Sequence, residues 1–416
     1  MRFLRKILDR HGRLYEKGGK LEKLYPIYEA FDNFLFTSGK VTCCPPHIRD
    51  VNDFKRIMMM VVYALIPTVI MALYNTGYQA NLIFSQLGKV TASGWRIDLL
   101  TALGIGFDPA NIFANIFHGA LYFFPVYAVT MAVGGFWEVV FAVVRKHEIQ
   151  EGFMVTGLLF PLILPPAIPL WQVAIGISFG IVIGKEVFGG VGMNILNPVL
   201  TARAFLFFAY PLKISGDAVW VAVDGLSMAT PLAVISERGV SALGKIPGIV
   251  QGVELEPVAV TFKDAFLGLI PGSMGETSTL ACLIGAFILI VTGIASWRIM
   301  VSVLAGMVGL SILFNLIGSG TNPMFSLSPL WHLVLGGFAF GTVFMATDPV
   351  SAAVTNKGKY LYGLLIGILV VLIRVLNPAF PEGMMLAILF ANVFASIIDR
   401  FFINSNIKRR LLRNEQ

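Results

Sequence analysis

The stretch Leu121-Tyr122-Phe123-Phe124-Pro125-Val126-Tyr127-Ala128-Val129-Thr130-Met131-Ala132-Val133-Gly134-Gly135-Phe136-Trp137-Glu138-Val139-Val140-Phe141-Ala142-Val143-Val144 carries one formally charged side chain, Glu138, and stops at Arg145-Lys146. A helix needs about 20 consecutive apolar residues to cross a hydrocarbon layer of about 30 Å, and this run supplies them. Nine further apolar runs flank it: Ile57 to Leu73, Phe153 to Ile168, Trp171 to Ile183, Ile195 to Tyr210, Thr279 to Ala295, Ile299 to Ile317, Leu330 to Ala346, Tyr360 to Leu376 and Gly383 to Phe402. Composition agrees with them: 56% of the residues are hydrophobic, 13% are charged and the mean hydropathy is +0.78. A soluble protein carries roughly a quarter charged residues. The expected fold is therefore an all-α polytopic membrane protein of about ten transmembrane helices, some of them broken.

Charge sets the expected orientation. Lys55-Arg56, Arg145-Lys146, Lys185, Arg298, Lys357, Lys359 and Lys408-Arg409-Arg410 fall on one side if the runs alternate strictly. Cytoplasmic loops carry an excess of Lys and Arg, so both termini are expected in the cytoplasm. The net charge of +7 is thereby explained by topology and gives no reason to expect nucleic acid. The chain divides into a charged cytoplasmic N-terminal cap (1–56) without the apolar core of a secretory signal, a first five-helix bundle (57–211), an extracytoplasmic loop (212–278), a second five-helix bundle (279–402) and a basic cytoplasmic tail (403–416). Cys43, Cys44 and Cys282 form no zinc or iron–sulfur pattern, although vicinal Cys43-Cys44 could supply one side of a site shared with a partner.

An internal echo runs through the two bundles. Trp137 and Trp297 are separated by the same interval as Pro169-Leu170-Trp171 and Pro329-Leu330-Trp331, with Gly176 and Gly336 in register, so any repeat would be parallel. Leu196-Asn197-Pro198 and Leu376-Asn377-Pro378 read as helix breaks, because proline removes a helical hydrogen bond and frees a carbonyl. The glycine-rich loop from Gly184 to Asn194 is either a tight turn or a backbone cradle for a ligand.

An ionisable group at the centre of a membrane helix costs roughly 2.5–3.5 kcal/mol on insertion scales, so each one needs a reason. Arg203, in the fifth run, calls for a counter-charge or a phosphate; Arg374 lies within the ninth. Glu138, Asp348 and Asp399 are oxygen donors at the expected cytoplasmic edge, suited either to water or to a hard cation such as sodium.

The polar segment between the bundles contains Asp224-Gly225-Leu226-Ser227-Met228-Ala229-Thr230-Pro231-Leu232. No run between Lys213 and Lys263 is long enough to span, so the Thr230 hydroxyl is expected to be reachable from solvent on a mobile loop. Ser227 and Thr230 would ordinarily bond turn backbone. Further on, Pro271-Gly272-Ser273-Met274-Gly275-Glu276-Thr277-Ser278 leads into the sixth run and suits helix capping.

The Thr230 run resembles the flavin-attachment site of the NqrB/RnfD family, the flavin-bearing membrane subunits of the sodium-translocating NADH:quinone oxidoreductase and of the related Rnf-type complexes. Gly134-Gly135-Phe136-Trp137-Glu138, Pro169-Leu170-Trp171, Gly184-Lys185-Glu186-Val187-Phe188-Gly189-Gly190, Ala204-Phe205-Leu206-Phe207-Phe208-Ala209-Tyr210-Pro211, Thr347-Asp348-Pro349-Val350-Ser351 and Ile407-Lys408-Arg409-Arg410 extend the likeness over nearly the whole chain. The N-terminal extension with Gly18-Gly19-Lys20 resembles the sodium-pump subunit rather than its Rnf relative. One departure is Met228, where the family run has glycine; it adds bulk and removes freedom to adopt positive φ.

The resemblance implies a core subunit of a six-subunit complex of the bacterial inner membrane that passes electrons from NADH to ubiquinone and exports sodium. FMN would be attached covalently to Thr230 by a flavin transferase and take electrons from FMN on a neighbouring subunit. A noncovalent riboflavin would carry them onward. Arg203, Ser227, Gly275, Glu276 and Thr277 are candidate contacts of the tethered flavin; Gly134 and Gly135 match a glycine pair associated with quinone; Glu138 and Asp399 match acidic residues linked to sodium uptake, and Asp348 joins them as a sodium-pathway candidate on its oxygen chemistry alone. A passive transporter or channel, or a structural anchor for redox partners, would account for the same helices without redox chemistry.

Overall fold

The computed structural model describes residues 54–87, 94–146, 149, 152–215, 217, 219–223, 226–244, 246, 248–250, 253–377 and 380–414, with isolated positions between 5 and 36. Cys43-Cys44, Gly18-Gly19-Lys20, Asp224-Gly225, Pro378 and most of the expected N-terminal cap lie outside these residues.

The helices are α1 (Phe54–Leu87), α2 (Trp95–Ala102), α3 (Ile112–Arg145), α4 (Gly152–Leu162), α5 (Leu170–Val182), α6 (Pro198–Ala209), α7 (Pro231–Arg238), α8 (Phe262–Leu267), α9 (Thr279–Val291), α10 (Trp297–Ile317), α11 (Pro329–Val334), α12 (Asn356–Leu376) and α13 (Met384–Asn414). Among the described residues six are long and apolar enough to cross a membrane (α1, α3, α5, α10, α12 and α13), and three shorter apolar helices (α4, α6 and α9) join them. The remaining run, Leu330 to Ala346, is a broken segment. α11 stops at Val334, Gly336 turns the chain at φ +66°, and a short helix (Phe338–Phe340) and a π-helical turn (Gly341–Met345) follow. The protein is thus all-α and polytopic, and its only sheet among the described residues is a three-stranded antiparallel patch of β1 (Leu226–Ser227), β2 (Ile249–Val250) and β3 (Val253–Glu254).

Several boundaries differ from those read off hydropathy. α1 continues past Leu73 to Leu87 because Asn75, Gln79 and Asn81 there are buried and hydrogen-bonded. Asn81 donates to Asn115 on α3 (2.8 Å), and its Oδ1 pairs with His118 Nδ1 (2.8 Å). Gly77 and Gly119 bring the α1 and α3 backbones so close that neither has room for a Cβ. α3 begins at Ile112, capped by Asn111, and contains Pro125. The carbonyl that Pro125 leaves unbonded, that of Leu121, accepts from Arg96 Nε at 3.1 Å. α13 runs unbroken to Asn414, where a separate tail is expected.

Of the two Asn-Pro breaks, Asn197-Pro198 is a helix start instead. Pro198 is the first residue of α6, behind an Asn197 cap that accepts from Val199 and Leu200, the position where proline's missing N–H costs nothing. α12 ends at Leu376 with Asn377 as its C-cap. The expected repeat holds at one point and fails at another: Pro169 and Pro329 both open helices, but Trp137 lies deep inside α3 whereas Trp297 begins α10.

Candidate functional site

Thr230 is not the exposed hydroxyl that its loop position suggests. It is 6% exposed and is the N-cap of α7, its Oγ accepting from Ala233 N at 3.3 Å. Met228 turns its side chain into the core and keeps a negative φ, so the glycine expected there is not needed for the backbone. Ser227 sits in β1 with its side chain exposed.

Two clefts meet at Thr230. The smaller, about 20 Å³, is lined by Thr230, Ser273, Glu276, Thr277, Gly336 and Glu382. The larger, about 180 Å³, is lined by Thr230, Arg203, Ser236, Glu382 and the rings of Phe207, Trp220 and Phe380. Only the second has space for more than a water or two. Its aromatic wall is tight, with the Phe207 and Phe380 ring centroids 4.5 Å apart.

Arg203 has the counter-charge that its position demands. Its Nη1 donates to both Glu276 oxygens, at 2.8 and 2.9 Å, and its Nη2 donates to Ser273 Oγ at 3.2 Å. The two side chains are 9% and 10% exposed. Gly337 is so close to the Glu276 carboxylate that a Cβ there would lie 2.6 Å from Oε1. Arg374 on α12 supports the same break from the other side: Nη1 donates to His332 O (2.7 Å), Nη2 to Leu335 O (2.9 Å) and Nε to Glu382 O (3.1 Å). The first two carbonyls are ones that the end of α11 leaves without helical partners. Burial pushes the Glu382 carboxyl above the usual carboxylate range, the Arg374 guanidinium pulls it back, and the Glu276 charge adds to the rise.

Gly275, Glu276 and Thr277 prove to have separate jobs. The Gly275 amide is bonded to Leu162 O (2.7 Å) at the end of α4. Thr277 Oγ1 accepts from Asn75 on α1 at 3.4 Å. Ser278 caps α9 through Ala281 N, the capping reading of this segment.

At the opposite end of the bundle Glu138 and Lys185, 3% and 4% exposed, form an ion pair. Lys185 Nζ lies 3.5 Å from Glu186 Oε1, and Arg145 reaches Glu186 through Oε2 (3.3 Å) and the backbone carbonyl (2.6 Å). The Gly184–Asn194 loop is the tight turn that places Lys185, with Gly189, Gly190 and Gly192 all at positive φ. Lys185 lines a cavity of about 90 Å³ together with Thr156, Asn194, Asn197, Thr347 and Asp348. Asp348 accepts from Ser351 Oγ (2.6 Å) and Val350 N (3.4 Å). Asp399 is elsewhere, spent on the start of α12: it accepts from Val354 N (2.7 Å), Thr355 N (2.9 Å) and Thr355 Oγ1 (2.5 Å). Among the described residues no three His, Cys, Asp or Glu side chains converge as metal ligands. Gly134 packs against Phe153, whose Cε2 would lie 2.5 Å from an added Cβ, with Gly135 alongside at 3.6 Å.

Sequence reasoning did not find Glu382, nor the pairing of Lys185 with Glu138. Glu382 follows a proline in a short connector and carries no motif; the Lys185–Glu138 pair joins α3 to the turn after α5, which no spacing rule connects.

Apolar helices in this number, with a buried arginine–carboxylate cleft at one end and a lysine–carboxylate cavity at the other, define a polytopic membrane protein with charge inside the bundle. The chain belongs to the NQR2, RnfD, RnfE family, whose model matches residues 41–408. It is 59% identical over 413 residues to a subunit of the Na(+)-translocating NADH-quinone reductase of Ectopseudomonas mendocina (strain ymp). It is 58% identical over 414 residues to the subunit of the same name in Stutzerimonas stutzeri (strain A1501), and 56% over 414 residues to that in Pseudomonas aeruginosa (strain UCBPP-PA14). Each match covers 99% of both chains.

Proposed function

We propose that this chain is the membrane flavoprotein subunit of a sodium-pumping NADH:ubiquinone oxidoreductase, with FMN esterified to Thr230. The observation that carries the reading is the position of Thr230 at the mouth of an aromatic cleft. The phosphate of a Thr230 ester would sit at the N-terminus of α7, where backbone amides and the helix dipole favour an anion. Phe207, Trp220 and Phe380 would flank the ring system and Ser236 offers a hydroxyl to it. Arg203, held by Glu276, supplies fixed positive charge to the same cleft. When bound, the flavin supplies one-electron carrying capacity. The protein's part is to exclude water and fix the ring, with Arg203 the cation of a cleft that also holds Asp217, Glu237 and Glu382.

The remaining assignments follow the same reading. In a six-subunit complex a neighbouring subunit's FMN would supply the electrons and a noncovalent riboflavin would pass them to ubiquinone, with Gly134 and Gly135 beside the quinone. Sodium uses Glu138 and Asp348; Asp399 contributes by fixing the start of α12. Both termini lie in the cytoplasm of a bacterial inner-membrane protein and Thr230 on the opposite side, in line with basic residues at one end of the helices. A flavin transferase modifies Thr230. The family also includes the Rnf type; identities of 56–59% to subunits named for sodium-translocating NADH-quinone reductase favour the sodium pump. A transporter without redox chemistry leaves the aromatic cleft beside Thr230 without a purpose.

The test is in-gel fluorescence and peptide mass analysis of the denatured chain expressed with the transferase. An FMN adduct on the Thr230 peptide is expected; a flavin-free peptide defeats the reading.

A further inference from the structure

The ion pair between Glu138 and Lys185 poses a question that the proposed sodium path must answer. Glu138, Lys185, Glu186 and Arg145 form a chain of two negative and two positive charges, with Glu138, Lys185 and Glu186 all under 5% exposed. A sodium ion added to Glu138 with the lysine in place would set two cations side by side on one desolvated carboxylate, a costly arrangement. Sodium and the lysine ammonium therefore exclude one another at Glu138.

Among the residues lining its cavity, the lysine has one carboxylate to turn to. Glu186 is already held by Arg145 through both its carboxylate and its carbonyl. Asp348 lines the same cavity as Lys185, is bonded by a hydroxyl and backbone amides, and takes part in no ion pair among the described residues. A lysine carries its charge on a flexible four-carbon stem, and a cavity of about 90 Å³ gives it space to swing. Resting on the reading that sodium enters through Glu138, we propose that Lys185 is a tethered counter-cation: it occupies Glu138 in the sodium-free state and moves to Asp348 when sodium takes its place. The lysine thereby sets sodium affinity and leaves each carboxylate, Glu138 and Asp348, with one cation once sodium has bound. A seat held by a competitor for most of the time lowers apparent affinity by the free fraction.

The experiment is equilibrium binding of radioactive sodium to the purified complex, alongside the sodium dependence of its NADH:quinone turnover. Lys185→Met should lower the half-saturating sodium concentration by roughly tenfold, as when a competitor holding the site nine times in ten is removed. Lys185→Arg, which keeps a tethered cation, should stay close to wild type. Asp348→Asn removes the alternative seat while leaving the Glu138 pair intact, and should raise half-saturation severalfold. Lys185→Met without a fall, or Asp348→Asn without a rise, overturns the proposal; if Lys185→Met fails to assemble, Lys185→Gln takes its place, because Asp348 also lies on the proposed sodium path and its loss alone does not separate the two roles. Glu138→Gln separates the two levels: unchanged sodium binding in that variant removes Glu138 from the sodium path, whereas altered binding there with no effect of Lys185→Met or Asp348→Asn defeats only the counter-cation.

Discussion

Arg203 on α6 donates through one nitrogen to both oxygens of Glu276, a residue 73 positions further along the chain, at 2.8 and 2.9 Å. The pair joins α6 to the segment that enters α9 and stands in the wall between two clefts that share Thr230. It also explains why an arginine is tolerated in an apolar run. Removing one partner leaves the other charge buried and uncompensated, which typically costs about 3–5 kcal/mol. Arg203→Ala and Glu276→Ala should each lower the thermal stability of the complex by that order, while Arg203→Met with Glu276→Met together should recover most of it. Scanning calorimetry of the three variants checks the non-additivity.

Thr230→Ala has two separable consequences. It should abolish the covalent flavin band, and it should cost about 0.5–2 kcal/mol through loss of the α7 cap. Thr230→Ser keeps both the cap and a hydroxyl for esterification. Fluorescence after denaturing electrophoresis reads the first effect and hydrogen exchange at Ala233 the second.

Gly134→Ala would place a methyl 2.5 Å from the Phe153 ring. Overpacking of that kind typically costs about 1–3 kcal/mol, so α4 should shift away from α3. A changed KM for quinone is expected, and Phe153→Leu in the same chain should restore it. Steady-state kinetics over a quinone series measures both.

Asp399→Ala should act on the start of α12. The carboxylate accepts from two backbone amides and a hydroxyl there, and a hydrogen bond to a charged group is typically worth about 1.5–3 kcal/mol, with the exposed Val354 at the low end. Faster hydrogen exchange at residues 354–358 with the rest of α12 protected is the expected pattern.

Glu382 gives a dependence on pH. Its folded-state pKa is raised, burial being the largest cause, so folding favours the protonated form. Its contribution is fully present below the unfolded pKa, which for glutamate is about 4.3, and is lost as pH rises through the folded value. Glu382→Gln mimics the protonated side chain. Its melting temperature relative to wild type should therefore climb as pH rises, and a constant difference across the pH range would contradict the assignment.

Much of the architecture could be read from the chain alone. Bilayer-length apolar runs require helices because no other open structure satisfies backbone groups in hydrocarbon. Helix starts were legible where the capping residue is local, as at Ser278. Boundaries failed where partners are distant: the polar half of α1 remains helical because Asn75 and Asn81 find partners on other elements and Gln79 donates back to Asn75. Proline alone does not say whether a helix breaks. Pro198 opens a helix, whereas Pro125 stays inside one because Arg96 takes the freed carbonyl.

The amino-acid sequence by itself determined the class, an all-α membrane-spanning chain, and through its motifs the family, because hydrophobic length and local residue order are properties of a string. Only the tertiary structure decided how the charges are spent. Whether Arg203 meets Glu276, whether Lys185 sits on Glu138, and whether the Thr230 hydroxyl faces water or a helix end depends on which helices touch. Electrostatic energy depends on separation in space, not along the chain.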